Sequence, residues 1–345
     1  MTLSRISIFL SSLFLSTLLV PVAYGQEWKS YHLVSGCSIY DFQGHLVRRF
    51  VGDYCLYLDD GRVVSRTISS LTMYDKNSSP LWTLKGFFHH QMSMTQDGEK
   101  ILAIGGLSKT IKDQKAKIDR LLVISLKGEI LHETTSDHLI KQVLKEYNLR
   151  KSHQEMTENL GTSQEISHFN SIYEIPKLIP KDDHPFFKEG HIIVNGLHDG
   201  VFILSPDLKV LKHHSMLPLA HDHLIHDAQI LPNGNMIFFN NMVKESTTNG
   251  PSSAVQEYNF STQKVIHHIS AEPSQFFFSR IAGSVQKLDE EHFLFTHYLL
   301  GTYIYSVKKK TIIHYLLQTH IIDRDLKYTQ QVKAVNLTTF LTHWK

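Results

Sequence analysis

The chain has 345 residues, 35 Lys and Arg against 33 Asp and Glu, and a formal net charge of +2, a balance that argues against a nucleic-acid binder held by a basic face. With 42% hydrophobic and 20% charged residues it has the makeup of a folded globular protein. Its 23 histidines run from His32 to His343, a spread that suits metal or acid-base chemistry better than a tag, while two cysteines, Cys37 and Cys55, are too few for a disulfide framework or a Cys-based zinc site.

The chain begins with a segment that does not belong to the fold. Met1–Arg5 carries one positive charge, Ile6–Leu19 is apolar with interspersed serines, and Ala23-Tyr24-Gly25 supplies small residues before a cleavage ahead of Gln26. Residues 1–25 therefore read as a secretory signal peptide. The apolar stretch falls short of the roughly 20 residues that span a bilayer. The expectation is an exported protein, periplasmic or secreted, with no other membrane association. In that compartment Cys37 and Cys55 can pair or remain two buried thiols.

The remaining residues, 26–345, carry two interleaved repeats. One is a strand, a tight polar turn and a second strand: YCLYLDDGRVV around Gly61, HQMSMTQDGEKILAI around Gly98, HFNSIYEIP with GHIIVNG from His168 to Gly196, HDAQILPNGNMIFF around Gly234, SVQKLDEEHFLFT around Glu291, and VKAVNLTTFLTHW near the C-terminus. The other reads as an outer hairpin, in SIYDFQGHLVRRF, LTMYDKNSSPLWTL, LLVISLKGEILHE, VFILSPDLKVLKH, VQEYNFSTQKVIHH and TYIYSVKKKTIIHY. Six copies of each make six units of four strands, an all-β, six-bladed propeller. An outer-type hairpin opens the series and an inner-type hairpin closes it, so the two ends are expected to share a blade, each giving one hairpin, and leave no open edge.

A segment at about 134–166 interrupts the strand rhythm. Leu139, Val143, Leu144 and Tyr147 fall at helical spacing after Ser136 and Asp137, both suited to capping. This predicts a small helical insertion between the second and third blades, lying over one mouth of the channel.

The repeat register sorts the histidines. His90 and His226 lie eight residues before Gly98 and Gly234, and His168 lies eight before the Pro176 turn. Three successive blades thus carry a histidine at the same position, where the other blades carry Asp53, Gly283 and Gln331. Equivalent residues at the start of inner strands converge on the axis of a propeller. Clustered imidazoles can bind a metal, as His₃ zinc sites do, or act on an anion, one as nucleophile and the others as donors to negative oxygens. Ligands from three separate blades are held too wide for a single ion, which favours the anion. The unregistered histidines, such as His132, His213 and His267, read as ordinary surface or core residues.

The phrases FHHQMSM at Phe88, HFNSI at His168, HDAQILPNGN at His226 and SRIAGSVQKL at Ser279 resemble, in order, motifs of the bacterial arylsulfate sulfotransferase family. The resemblance runs from about Asp41 onward. It implies an exported six-bladed propeller that passes a sulfuryl group from a phenolic sulfate ester to a phenol, without a nucleotide sulfate donor or any other cofactor or metal. It implies that His226 forms the covalent sulfohistidine, that His90 and His168 join it in catalysis as protonated donors, and that Asn170 and His89 bind the sulfuryl oxygens. In IIVNGLHDG, Leu197 stands where the family carries an arginine, and Arg280 is the expected substitute for the missing charge. That departure keeps open a non-catalytic ligand-binding propeller of the same family, and the residues alone keep open a His₃ metal-binding one. The implied partners are a small aromatic sulfate and a phenolic acceptor, with Tyr54 and Tyr298 as channel-mouth residues. The oligomeric state is left open.

Overall fold

The structure, a computed structural model, describes residues 32–41, 45–111, 114–147, 164–165, 167–178, 185–196, 200–216, 219–220, 224–243, 253–270, 283–297, 301–317 and 332–335. The proposed signal peptide lies outside them. Among the described residues, no helix is long and apolar enough to cross a membrane.

The strands fall into six antiparallel sheets, in chain order β1 (His32–Ser35), β2 (Ser38–Tyr40) and β3 (Leu46–Arg49); β4 (Tyr54–Tyr57), β5 (Val63–Thr67), β6 (Ser70–Tyr74) and β7 (Pro80–Lys85); β8 (Phe87–Met94), β9 (Lys100–Ile111), β10 (Gln114–Ser125) and β11 (Ile130–Thr135); β12 (Gln164–Glu165), a short parallel addition to β10; β13 (Phe169–Glu174), β14 (Ile192–Gly196), β15 (Gly200–Leu204) and β16 (Val210–His214); β17 (Ile225–Ile230), β18 (Met236–Asn240), β19 (Ala254–Asn259) and β20 (Lys264–Ile269); β21 (Ser284–Lys287), β22 (His292–His297), β23 (Gly301–Ser306) and β24 (Thr311–Leu317); and β25 (Val332–Val335). The sheets form a ring, a six-bladed β-propeller, and every repeated phrase but the C-terminal VKAVNLTTFLTHW maps onto the hairpin expected of it. Blade one is β4–β7, blade two β8–β11, blade three β13–β16, blade four β17–β20 and blade five β21–β24.

The sixth blade closes the ring, with β25 pairing antiparallel to β1 in the register His32↔Val335 to Ser35↔Val332. Sharing between the chain ends is as expected, but the division differs. The N-terminal end supplies three strands and the C-terminal end one, because HLVS at His32 takes the place next to β25 that the second half of the C-terminal phrase was expected to fill.

The core lies between blades. Middle strands are buried on both faces, so β14, β15 and β18 are buried along their whole length and mostly apolar, with Asn195 and Asn240 the polar exceptions, whereas outer strands such as β7 and β20 alternate with solvent. The interface of blades two and three holds Leu102, Ile104, Phe169, Ile172 and Phe202; that of blades three and four holds Ile193, Ile203, Ile225 and Phe238. Cys37 and Cys55 are both buried and disulfide-bonded, joining the β1–β2 turn of the closing blade to the first strand of blade one.

The helix α1 (Ser136–Tyr147) forms where its spacing predicts, but it does not cover a channel mouth. It packs on β10, β11 and β16, outer strands of blades two and three, with Leu139, Ile140 and Val143 entering the core between them. That apolar seam is a better host for its buried stripe than the polar channel. The Ser136 hydroxyl accepts the Asp119 N–H at 3.1 Å. Asp137 sits in the first turn with the Lys109 ammonium 2.8 Å away. Burial opposes ionisation of Asp137, yet Lys109, Thr135 and Lys141 outweigh it and draw its carboxyl down to about 2.

The LPNGN phrase also proves structural. Asn233 and Asn235 donate to Glu257 Oε1 at 3.2 and 2.6 Å, and the other Glu257 oxygen faces Lys287 of blade five at 3.4 Å. Glu257 and Lys287 are both buried side chains, so this ion pair ties blade four to blade five. Lys287→Met removes the cation and leaves the carboxylate buried, and a loss of about 3 kcal/mol is expected in denaturant unfolding; a loss within experimental error would show that the asparagines alone neutralise it.

Candidate functional site

The first strands of blades two, three and four bring the registered histidines together, and a β-bulge shapes each strand at that point. Pairing jumps from Phe88↔Gly105 to Met92↔Ala103 on β8, from Phe169↔Gly196 to Ser171↔Asn195 on β13, and from His226↔Phe239 to Gln229↔Ile237 on β17. His90 and Asp227 adopt φ of 53° and 58°, a left-handed conformation that side chains other than glycine seldom take. Such bulges re-aim side chains at functional sites, and each costs on the order of 1–3 kcal/mol that the surrounding structure must offset. Gly106 makes room for the first of them, since a Cβ there would lie 2.5 Å from the Phe87 ring.

The result is a cluster of imidazoles. The His90 and His168 rings stand edge to face with centroids 4.4 Å apart; His89 lies 4.8 Å from His90 and 6.1 Å from His168. His226 is in electrostatic contact with both His90 and His168. Burial, then the neighbouring His168, His89, His226 and Arg66, push the His90 pKa well below its ordinary value. Burial likewise lowers His226 to about 4, against the opposing effect of its hydrogen bond to Asn241. Near neutral pH both are therefore uncharged. The expectation of protonated imidazoles as cationic donors does not hold for His90, because crowded imidazoles in a desolvated site shed their protons.

His226 is oriented as well as neutral. Its Nδ1 lies 2.6 Å from Asn241 Oδ1, which only accepts, so Nδ1 carries the proton and Nε2 keeps its lone pair. His89 is held differently, with Nε2 2.9 Å from Asp119 Oδ1. The second Asp119 oxygen accepts the Phe169 N–H at 2.6 Å, so one carboxylate fixes His89 and the backbone beside His168.

Asn170 stands behind the site. It is buried, its amide donates to the Ile225 carbonyl at 3.0 Å, and its oxygen accepts from Asn195 at 2.5 Å. Asn195 reaches the same carbonyl at 3.0 Å. Both amides thus pin the residue before His226, and in this arrangement Asn170 positions the His226 strand. In blade five the registered position is Gly283, where a Cβ would meet the Phe239 ring at 2.5 Å, so that position contributes no side chain. Asp53 donates its N–H to the Arg66 carbonyl at 2.7 Å. Leu197, Arg280, Tyr298 and Gln331 lie outside the described residues.

A polar chain crosses the inner strands of five blades beside the histidines. Gln91 hydrogen-bonds to Tyr54 and Tyr173, Tyr173 donates to Asp227 Oδ1, and Asp227 Oδ2 accepts the Val285 N–H at 2.7 Å. Burial, with the Asp227 charge adding to it, raises both phenols above the ordinary tyrosine range. Gln91 is 2% exposed and its Oε1 has no hydrogen-bond partner.

Sequence reasoning missed Asn241, Asp119 and Arg66. Arg66 lies on β5 opposite Tyr54 and next to the His90 strand, its Nη1 donating to Phe88 O at 3.3 Å. Its one legible signal was an arginine on a second inner strand, in VVSRT, where the strand period leaves only core or channel for a side chain. Asn241 and Asp119 gave no such signal, since both act through contacts distant in the chain. Among the described residues, no group of three His, Cys, Asp or Glu side chains is placed to hold a metal ion.

No protein-family model matches the chain, and no curated protein matches it either. Among solved structures it is similar to a protein of unknown function from Bacteroides caccae, with a TM-score of 0.51 and 12% identity over 88% of this chain and 98% of that one. The WD40 domain of Neurospora crassa Pan2 aligns with a TM-score of 0.41 and 13% identity, over 79% of this chain and 72% of that one. The first likeness concerns the fold alone, and the second adds nothing to it.

Proposed function

We propose that this propeller is an exported sulfuryl-transfer enzyme acting on aryl sulfates, with His226 as nucleophile. The observation that carries the reading is the His226–Asn241 hydrogen bond, which leaves a neutral Nε2 lone pair on a buried ring beside three half-buried imidazoles. In the first half-reaction Nε2 attacks sulfur, the S–N bond forms, the S–O bond to the aryl group breaks, and the phenolate takes a proton from water. In the second, an acceptor phenol oxygen attacks the sulfohistidine, the S–N bond breaks, and the phenol proton passes to solvent. Imidazole N–H groups of His90 and His168 serve as donors to the sulfuryl oxygens. Phe87, 42% exposed with its ring 5.3 Å from His89, offers an apolar face for the aryl ring. The motif resemblance supports the same reading, and the buried Cys37–Cys55 bridge supports an oxidising compartment.

Incubation with 4-nitrophenyl sulfate is expected to give a mass increase of one sulfuryl group on His226 and release of 4-nitrophenol, faster with an added phenol. No adduct and no release would leave a ligand-binding propeller. Because the nucleophile is the neutral imidazole and its pKa is about 4, kcat/KM should be flat near neutrality and fall as pH drops through about 4. An acid limb near the ordinary histidine value of about 6.5 would exclude His226 as the group being titrated.

A further inference from the structure

The channel needs a permanent positive charge if it is to hold an anion, since burial leaves His90 and His226 neutral. Arg66 has that charge and little to balance it. Its guanidinium comes from β5 of blade one, alongside the His90 bulge, and burial is the largest influence on it, with Asp53 and Tyr54 acting on it electrostatically. Among the described residues no carboxylate lies within ion-pairing distance of Arg66; its Nη1 makes one hydrogen bond, to Phe88 O at 3.3 Å, and its Nε is buried with no partner. Arg66 is half-buried; a charge so placed with no ion-pair partner is costly, and a buried N–H without an acceptor adds to that cost. Folded proteins keep such groups where a ligand completes them.

We infer that Arg66 is the anion-holding residue of the channel: its guanidinium, beside His90 on the inner wall, takes the oxygens of the substrate's anionic group. This rests on the reading of the channel as a sulfuryl-transfer site, but it requires only that an aryl oxyanion binds there. The guanidinium fork matches two oxygens of a tetrahedral anion. It comes from a different blade than the arginine that the motif resemblance led one to expect at position 197, and it makes Arg280 unnecessary as a substitute. One fixed cation beside the uncharged His90 and His226 suits a singly charged sulfate or sulfonate better than a doubly charged phosphate monoester.

The test uses 4-nitrobenzenesulfonate, whose C–S bond cannot be transferred, in calorimetry and thermal melts on the full protein. The wild type should bind it and melt at a higher temperature in its presence. Arg66→Gln should weaken binding by at least about tenfold and lose that thermal shift, while Arg66→Lys recovers part of both. Without ligand, Arg66→Gln should melt no lower than wild type, since an uncompensated charge has been removed; a purely structural arginine would lower the melting temperature and leave the ligand shift intact. If Arg66→Gln fails to fold, Arg66→Lys carries the test, and undiminished binding in it overturns the proposal.

The two readings fail separately. Arg66-dependent sulfonate binding without any sulfohistidine or phenol release would retain the anion site and remove the transferase. Turnover of 4-nitrophenyl sulfate with kcat/KM in Arg66→Gln within about twofold of wild type would retain the transferase and remove Arg66 from it. A wild type that neither binds the sulfonate nor releases phenol would remove both.

Discussion

His226→Asn is expected to abolish sulfuryl transfer, with phenol release falling by on the order of 10⁴-fold or more. The variant keeps a small polar side chain but has no lone pair basic enough to displace a phenolate from sulfur. Its stability at neutral pH should change little. The His226 ring contacts imidazoles and Asn241, while the apolar seams that hold the blades together lie on either side of it. Acid stability should change in the opposite sense. The folded protein holds His226 near a pKa of about 4, whereas in the unfolded chain it returns to about 6.5. Between those values the unfolded state binds more protons, so the wild type loses stability as pH falls from about 6.5 to about 4. At most about 3 kcal/mol is involved, the equivalent of roughly two and a half pKa units. His226→Asn removes this contribution and should flatten the stability profile across that window. Urea unfolding at several pH values measures it, and an unchanged acid slope would show that His90 or another group dominates. Retained activity would move the nucleophile elsewhere in the cluster, with His168 the first candidate because it stands edge to face with His90 and acts electrostatically on His226.

Opening the disulfide should have the largest effect on the scaffold. Cys37 and Cys55 are 18 residues apart in the chain, and releasing a loop of that size costs about 3 kcal/mol on the chain-entropy account. Position adds to the consequence. The bridge fastens the closing blade to blade one, while β25 fastens the same blade to the chain's other end. Cys37→Ser with Cys55→Ser is therefore expected to lower stability by about 3 kcal/mol. Amide exchange should accelerate first in β1 and β2, since a blade held only by β25 opens more readily than one held on both sides. A loss below about 1 kcal/mol with uniform exchange would mean that the β1–β25 ladder and the apolar seam suffice to close the ring.

The histidine cluster was partly legible because a propeller repeats. Counting back from Gly98, Pro176 and Gly234 put His90, His168 and His226 in one register, and the bulged first strands of blades two to four bring them together. Asn170 shows the limit of such counting. It sits two residues beyond His168 on the same strand, yet its amide is spent on the Ile225 carbonyl of the next blade. Nothing local in HFNSI separates a residue that faces substrate from one that props its neighbour. The helix follows the same pattern. Its spacing was readable, but the outer seam between blades two and three, formed by strands far apart in sequence, decided where its apolar face would lie.

What the sequence by itself determined was the architecture: five blades of paired hairpins, a sixth shared between the ends of the chain to close the ring, and three histidines in phase. These follow from period-two patterning and turn chemistry, which act over a few residues and repeat along the chain. Tertiary structure alone decided the charge state and the chemistry of the channel. Burial, set by packing of whole blades, neutralised His90 and His226; Asn241 selected the tautomer of His226; and β5 brought the Arg66 guanidinium beside the His90 strand. Each of these depends on desolvation and on hydrogen bonds between strands distant in the chain, and no local pattern of residues encodes either.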